Sequence, residues 1–260
     1  MFLCCCFPLG PRETREMSAI GTLKAYSFIT IRAANLSLDV HRLVHLATRN
    51  WLWKEELLTQ WTERVVIRLE NIFPDSGHQN RSVWRGYLAH ARYVLDSNLI
   101  GKCDKNGISL AWKFGLCLYN DGCWKEAEDL FVLVMEARKW VLGQEHPDTL
   151  TSMANLASTY RNQGRWKEAE DLDVQVMETS KRVLGQEHPS TLTSMANLSF
   201  TWRGYGRQAD AVKLMEKCVQ LRTRVLGADH PDTLFSLTTL LGWQVENLDI
   251  SSSAEEGPGV

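Results

Sequence analysis

The sequence predicts a mainly α fold: a superhelix of 42-residue helix–turn–helix repeats, preceded by a small β-hairpin and helix. Three observations carry that expectation. LGQEHPDTL at Leu142–Leu150 returns as LGQEHPSTL at Leu184–Leu192 and as LGADHPDTL at Leu226–Leu234, and self-similarity at a fixed period is the mark of a stacked repeat architecture. GCWKEAEDL from Gly122 becomes GRWKEAEDL from Gly164 and the looser GRQADAVKL from Gly206. Upstream, the run Ser27-Phe28-Ile29-Thr30-Ile31 is β-branched and aromatic and breaks the helical texture.

The totals narrow the function classes. Lys plus Arg number 29 against 31 Asp plus Glu, a net charge of −2, which gives no general attraction to nucleic acid or anionic membrane. No apolar run approaches the ~20 residues of a membrane-spanning helix. The seven cysteines form a triplet, Cys4-Cys5-Cys6, and scattered singles, neither a disulfide framework nor a zinc pattern, so the expected compartment is the reducing cytoplasm.

Residues 1–18 lack the basic n-region of a secretory leader, and Pro8 interrupts their apolar run. They read as a disordered tail or an artefactual start, with the cysteine triplet a candidate for palmitoylation. From 19 to 52, the β-branched run, a turn at Ala34-Asn35 and the strand Leu36 to Val40 predict a hairpin, followed by a helix from His41 to about Trp51. Residues 53–100 read as a helical adaptor of two amphipathic helices, Lys54 to Phe73 and Asn80 to Asp96, split by the Pro74-Asp75-Ser76-Gly77 turn.

The repeat array spans 101–248. From Gly122 to Leu156 and from Gly164 to Leu198, all but seven of 35 positions are identical. The first helix of each unit begins at Pro147, Pro189 or Pro231, where proline has no N–H to waste, and stops at Gly122, Gly164 or Gly206, where glycine takes a left-handed conformation. The second helix, as from Trp166, sets Trp166, Ala169, Leu172, Val176, Val183 and Leu184 on an apolar face and Lys167, Glu168, Glu170 and Asp171 on a wet one. A helix pair of this kind cannot bury its face alone, so neighbours stack. Phe131 and Met215 share a slot that holds Asp173 in the middle copy. An unpartnered buried carboxylate costs several kcal/mol, so Asp173 is expected at an edge, turned to solvent, the alternative being a local weak point or a partner-facing charge. A lone first helix, Thr233 to about Leu248, closes the array, and 249–260 reads as a disordered tail.

On these residues the chain resembles the tetratricopeptide (TPR) family, in the 42-residue form of kinesin light chains. Counted from Leu150, the family's small-residue positions fall on Ala157 and Ala169 and its aromatic knob on Tyr160; from Leu192 they fall on Ser199, Ala211 and Trp202. The opening unit has Gly115, Ala127 and Leu118 there. The resemblance implies a concave groove lined by the first helices, in which an asparagine two positions before the small slot holds a partner peptide. Those positions are Asn155 and Asn197, with Lys113 and Thr239 in the flanking units. Ser158, Arg161, Asn162 and Arg203 complete the candidate groove: an amide both donates and accepts, and a guanidinium binds acidic groups bidentately.

The segment AIGTLKAYSFITIRAANLSLDVHRLVHLATRNWL resembles the winged-helix part of fungal NB-ARC–TPR proteins, which are STAND NTPases. That resemblance places a nucleotide-sensing histidine at His41, within Val40-His41-Arg42. No G-x-x-x-x-G-K-[ST] loop accompanies it, so no phosphate cradle exists here and His41 is a vestigial sensor or a helix cap. No catalytic motif, metal site or cofactor is expected. His146, His188 and His230 recur, but stacked copies lie about 10 Å apart, whereas zinc ligands converge within ~2.3 Å. Glu126, Glu128 and Asp129, like Glu168, Glu170 and Asp171, read as solvated faces. Trp124 and Trp166 mark packing between helices.

The leading expectation is a non-catalytic scaffold or sensor binding a protein or peptide, with no nucleic-acid or membrane partner. One alternative is the C-terminal regulatory part of an NB-ARC switch with an ATPase domain upstream in a full-length form. A second is a kinesin-light-chain-like cargo adaptor, which wants an N-terminal heptad coiled coil that this sequence lacks.

Overall fold

The computed structural model of the chain describes residues 23, 25, 26, 28–32, 37–95 and 104–255. The tail at 1–18, the turn at Ala34-Asn35 and residues 256–260 lie outside them. The chain divides into two compact units, Met1–Cys117 and Leu118–Val260.

In the first unit, β1 (Ile29–Arg32) pairs antiparallel with β2 (Ser37–Val40), Ile29 opposite Val40 and Arg32 opposite Ser37. This hairpin is the whole sheet content of the described residues. Helix α1 (Arg42–Lys54) follows. It contains no buried residue, and Leu43, Leu46, Trp51 and Trp53 are exposed. Glu56, at φ 56°, makes the break before α2 (Leu58–Ile72), a left-handed position that costs a non-glycine residue about 1–2 kcal/mol. A single 3₁₀ turn, His78–Asn80, leads into α3 (Arg81–Leu95). Val66, Leu69 and Phe73 of α2 and its end are buried, as are Trp84, Ala91 and Val94 of α3. Helix α4 (Lys105–Asn120) starts in this unit and crosses its boundary. Its Phe114 meets Phe73 edge-on at 6.4 Å, and Lys113 pairs with Glu70 at 2.8 Å.

The second unit is a succession of antiparallel helices: α5 (Trp124–Leu142), α6 (Pro147–Asn162), α7 (Trp166–Leu184), α8 (Pro189–Gly204), α9 (Gln208–Leu226) and α10 (Pro231–Glu255). The repeated His-Pro makes each first helix start alike. Proline takes the first helical position, and the histidine caps: Nδ1 of His146, His188 and His230 accepts from the backbone N–H of Asp148, Ser190 and Asp232 at 3.1, 3.2 and 3.2 Å. A side-chain cap of this kind stabilises a helix by about 1 kcal/mol. Thr149 and Thr191 hydroxyls donate back to the Gly143 and Gly185 carbonyls at 2.9 and 2.8 Å. Gly122, Gly164 and Gly206 turn between the helices at φ 80°, 77° and 88°.

Packing follows the predicted slots. Ala127, Ala157, Ala169, Ser199 and Ala211 have no exposed surface, so the helices of a pair approach closely. Val176 of α7 covers Leu150 and Met153 of α6. Ala211, Met215 and Cys218 of α9 pack between Leu192, Met195 and Ala196 of α8 and Leu240 and Trp243 of α10. Trp166 lies over Gly204, where an added Cβ would come within 2.2 Å of the indole.

Between repeats, Glu145 and Glu187 pair with Arg182 and Arg224 of the next second helix. Two expectations change. Val183 is exposed rather than on the apolar face, because it falls in the last turn of α7. Finally, α10 continues to Glu255, through residues read as tail. No Gly or Pro interrupts it after Gly242 until Gly257, and Ser, Ala and Glu cost a helix little.

Candidate functional site

The candidate groove residues lie on α6 and α8. Asn155 is half-buried and its amide donates to the Thr151 carbonyl of its own helix at 3.0 Å. One turn on, the Ser158 hydroxyl accepts from Arg161 at 3.2 Å. Arg161 then reaches across to α8, donating to the Asn197 carbonyl at 3.2 Å and the Thr201 hydroxyl at 3.4 Å, with its guanidinium 5.8 Å from the Phe200 ring centre. Ser158, Arg161 and Asn197 are thus brought together, and the backbone of Asn197 is tied to α6. Asn162 is exposed. Arg203 turns away to α10, pairing with Glu246 at 2.5 Å over the Trp243 ring. In the flanking units, Lys113 is held by Glu70, and the Thr239 hydroxyl donates to Phe235 of its own helix.

Behind this cluster stands Asp173, and the expectation that it faces solvent is wrong. Its exposure is 1%. The Thr201 hydroxyl donates to Asp173 Oδ2 at 2.6 Å, the same hydroxyl that accepts from Arg161. Burial raises the Asp173 carboxyl to about 6, against the smaller opposing pull of the Thr201 bond and the Arg161 charge. The buried acid is therefore partnered across α7 and α8, with Arg161 of α6 the charge facing it.

The reading of Glu128 as part of a solvated face also fails. Glu128 is 8% exposed and accepts from Arg165 at 2.8 Å, Gln163 at 3.0 Å and Lys125 at 3.1 Å. Burial alone would raise its pKa; the three bonds outweigh that and hold it at about 2. Arg165 stacks 4.1 Å from the ring centre of Tyr160. One repeat later Glu170 accepts from Arg207 at 2.5 Å and from the Trp202 indole at 2.7 Å, and Arg207 stacks 4.5 Å from Trp202. So Glu170, too, is not on a wet face; each aromatic knob carries a stacked arginine that a glutamate of the preceding second helix holds.

A second internal pattern involves α5 and α9. Arg138 donates to the Asp148 carbonyl and the Ser152 hydroxyl at 3.1 and 2.9 Å. Arg222 does the same to Asp232 and Ser236 at 2.9 and 2.6 Å. In the middle copy these slots hold Ser180, Ser190 and Ser194, so the arginine and the aspartate are lost together.

His41 caps α1, its Nδ1 accepting from the Leu43 N–H at 3.2 Å. Among the described residues no three His, Cys, Asp or Glu side chains gather to hold a metal ion, and no helix is long and apolar enough to cross a membrane.

The family model of the tetratricopeptide repeat matches residues 149–190 and 191–232. A "nucleotide-binding leucine-rich repeat (NLR)-like protein" of Hyaloscypha variabilis is 40% identical over 139 residues, 53% of this chain and 14% of that protein. The chain therefore spans a small fraction of that relative's length. Among solved structures, a kinesin-light-chain-type protein of Podosopora anserina with nearly identical TPR-like repeats superimposes at TM-score 0.56 and 24% identity, over 75% of this chain and 90% of that one. BtubC (BKLC) from P. vanneervenii gives TM-score 0.54 at 14% identity, over 82% and 88%. Residues 149–232 thus match two tetratricopeptide repeats, and the helix pairs around them share the fold of kinesin-light-chain-like repeats.

Proposed function

We propose that the chain is a non-catalytic, cytoplasmic scaffold or sensor module that binds a protein or peptide along its first helices, with Asn155 and Asn197 as the contact pair. The observation that carries this reading is the return of a half-buried asparagine amide at the same slot of α6 and α8, two helices that Arg161 ties together. An amide both donates and accepts, as an extended peptide backbone requires. Arg161 and Arg203 act as supports in this reading, since both spend their charge within the array. Asn162, exposed one position after Arg161, completes the rim. Replacing Asn155 and Asn197 by alanine abolishes partner capture and leaves helicity unchanged; capture that survives in the double variant contradicts the assignment.

A second reading, a regulatory arm of a nucleotide-dependent switch, is favoured by the likeness to a much longer NLR-like protein and by α1, which buries no residue of its own. In it, residues 19–52 are a winged-helix remnant, 53–100 an adaptor and 101–248 the array, and an ATPase domain precedes them in a full-length form. The chain alone then shows no ATP hydrolysis and no rise in melting temperature with ADP. A clear shift at micromolar ADP would mean that His41 belongs to a working site.

A further inference from the structure

Thr159 and Thr201 hold the same slot of α6 and α8, yet their hydroxyls choose different acceptors. In the copy where Phe131 fills the central slot, the Thr159 hydroxyl donates to the Asn155 carbonyl of its own helix at 2.8 Å. In the copy with Asp173, the Thr201 hydroxyl donates to the carboxylate at 2.6 Å and lies 3.2 Å from the Asn197 carbonyl. A hydroxyl has one proton to give, so the acid draws it away from Asn197. Arg161 takes its place, donating to the Asn197 carbonyl at 3.2 Å and to the Thr201 hydroxyl at 3.4 Å. One buried carboxylate therefore decides which group holds the backbone beneath a proposed contact asparagine.

Arg161 of α6 is also the charge that acts on Asp173. The other charged and titratable groups around it are engaged elsewhere. On α8, Arg203 pairs with Glu246; on α7, Glu170 pairs with Arg207, and the remaining charged side chains are exposed. On α6, Tyr160 lies under Arg165, and Asp148 stands at the far end beside His146. Burial raises the Asp173 carboxyl to about 6, so the ionised form dominates at pH 7.5 and the protonated form at pH 5. A protonated carboxyl has an O–H of its own to donate. Given to the Thr201 oxygen, it frees the threonine proton for the Asn197 carbonyl, the bond that Thr159 makes to Asn155. Arg161 then loses both the attracting charge and its sole claim on that carbonyl.

We propose that Asp173 is a proton switch for the groove: ionised, it keeps Arg161 against Asn197 and Thr201, and protonated, it returns the Thr201 hydroxyl to the Asn197 carbonyl and releases Arg161 to the groove. The inference rests on the groove reading for its role, but its test needs no partner, so an Arg161 that does not move and a groove that binds nothing are separate results. The test is carbon-detected NMR of the full chain with isotope-labelled arginine, the Arg161 signals being those lost in Arg161→Lys. A held guanidinium shows two Nη nitrogens, and a freely turning one shows their average. In the wild-type protein the Arg161 pair is resolved at pH 7.5 and merges at pH 5, with a midpoint near 6. Asp173→Asn, which is neutral at both pH values, shows the merged signal at both. Asp173→Met, which carries the residue of the Met215 slot, does the same and decides the matter where the asparagine variant does not fold. A wild-type pair that stays resolved at both pH values, or merged at both, overturns the proposal. So does a transition that persists in Asp173→Met.

Discussion

Helix α7 and its neighbours α5 and α9 descend from one sequence pattern yet solve their burial differently. α5 and α9 put Phe131 and Met215 in the central slot and reach their next first helix with Arg138 and Arg222. α7 has Asp173 and Ser180 in those places, both buried. The flanking copies join helices by apolar contact plus a charged arm. The middle copy relies on one carboxylate, a threonine from α8 and an arginine from α6. Near-identical strings therefore give interfaces of different chemistry, and the stack has a polar joint beside the proposed contact asparagines.

Asp173→Met, which installs the residue of the Met215 slot, carries the largest expected effect. The folded-state pKa of Asp173 is raised, from an ordinary 3.8 to about 6. Its contribution is therefore fully present below about pH 3.8 and is lost as pH rises through 6. That difference corresponds to about 3 kcal/mol at neutral pH. Denaturant melts at pH 7.5 should show Asp173→Met more stable by up to that amount, with the advantage shrinking toward pH 4; equal stability at pH 7.5 would mean that the joint is well compensated.

Glu128→Gln tests the other polar joint, with the opposite sign. Its folded pKa is lowered to about 2, so its stabilisation is present above about 4.5 and is lost as pH falls toward 2. The variant should be less stable by about 2 kcal/mol at pH 7, the scale of a charge-assisted hydrogen bond, and the gap should close in acid. A smaller effect, about 1 kcal/mol of coupling, is expected from a double-mutant cycle on Arg138→Ser and Asp148→Ser, which rebuild the middle copy's pair in the preceding unit. Strict additivity would show that the joint loss of arginine and aspartate carries no interaction. Smallest is Glu56→Gly, which relieves the left-handed residue between α1 and α2; the gain should be about 0.5 kcal/mol once glycine's extra unfolded-state freedom is subtracted.

The repeat, its boundaries and its small slots were legible because they depend on local signals repeated three times: His-Pro for a start, glycine at positive φ for a stop, and Ala or Ser where helices cross. The hairpin was legible from the β-branched run around Ile29. Asp173 and Glu128 were misread for one reason: whether a carboxylate can be buried depends on a partner in a neighbouring helix, Thr201 or Arg165, and no local pattern reveals that reach. A signal was present. Glu128 with Arg165 and Glu170 with Arg207 recur at the same 37-residue separation, a charge pair conserved between copies. The candidate groove was legible only as positions; the inward turn of Arg161 and the outward pairing of Arg203 depend on Asn197 and Glu246 being within reach.

The central claim is that successive first helices present Asn155 and Asn197 to a partner's backbone. Peptides selected by display against the folded chain, then titrated calorimetrically against wild type and the Asn155→Ala, Asn197→Ala double variant, test it most directly. Two amide contacts of about 1 kcal/mol each predict a roughly 30-fold weaker Kd with an unchanged melting temperature. Equal affinities for the two proteins would contradict the account.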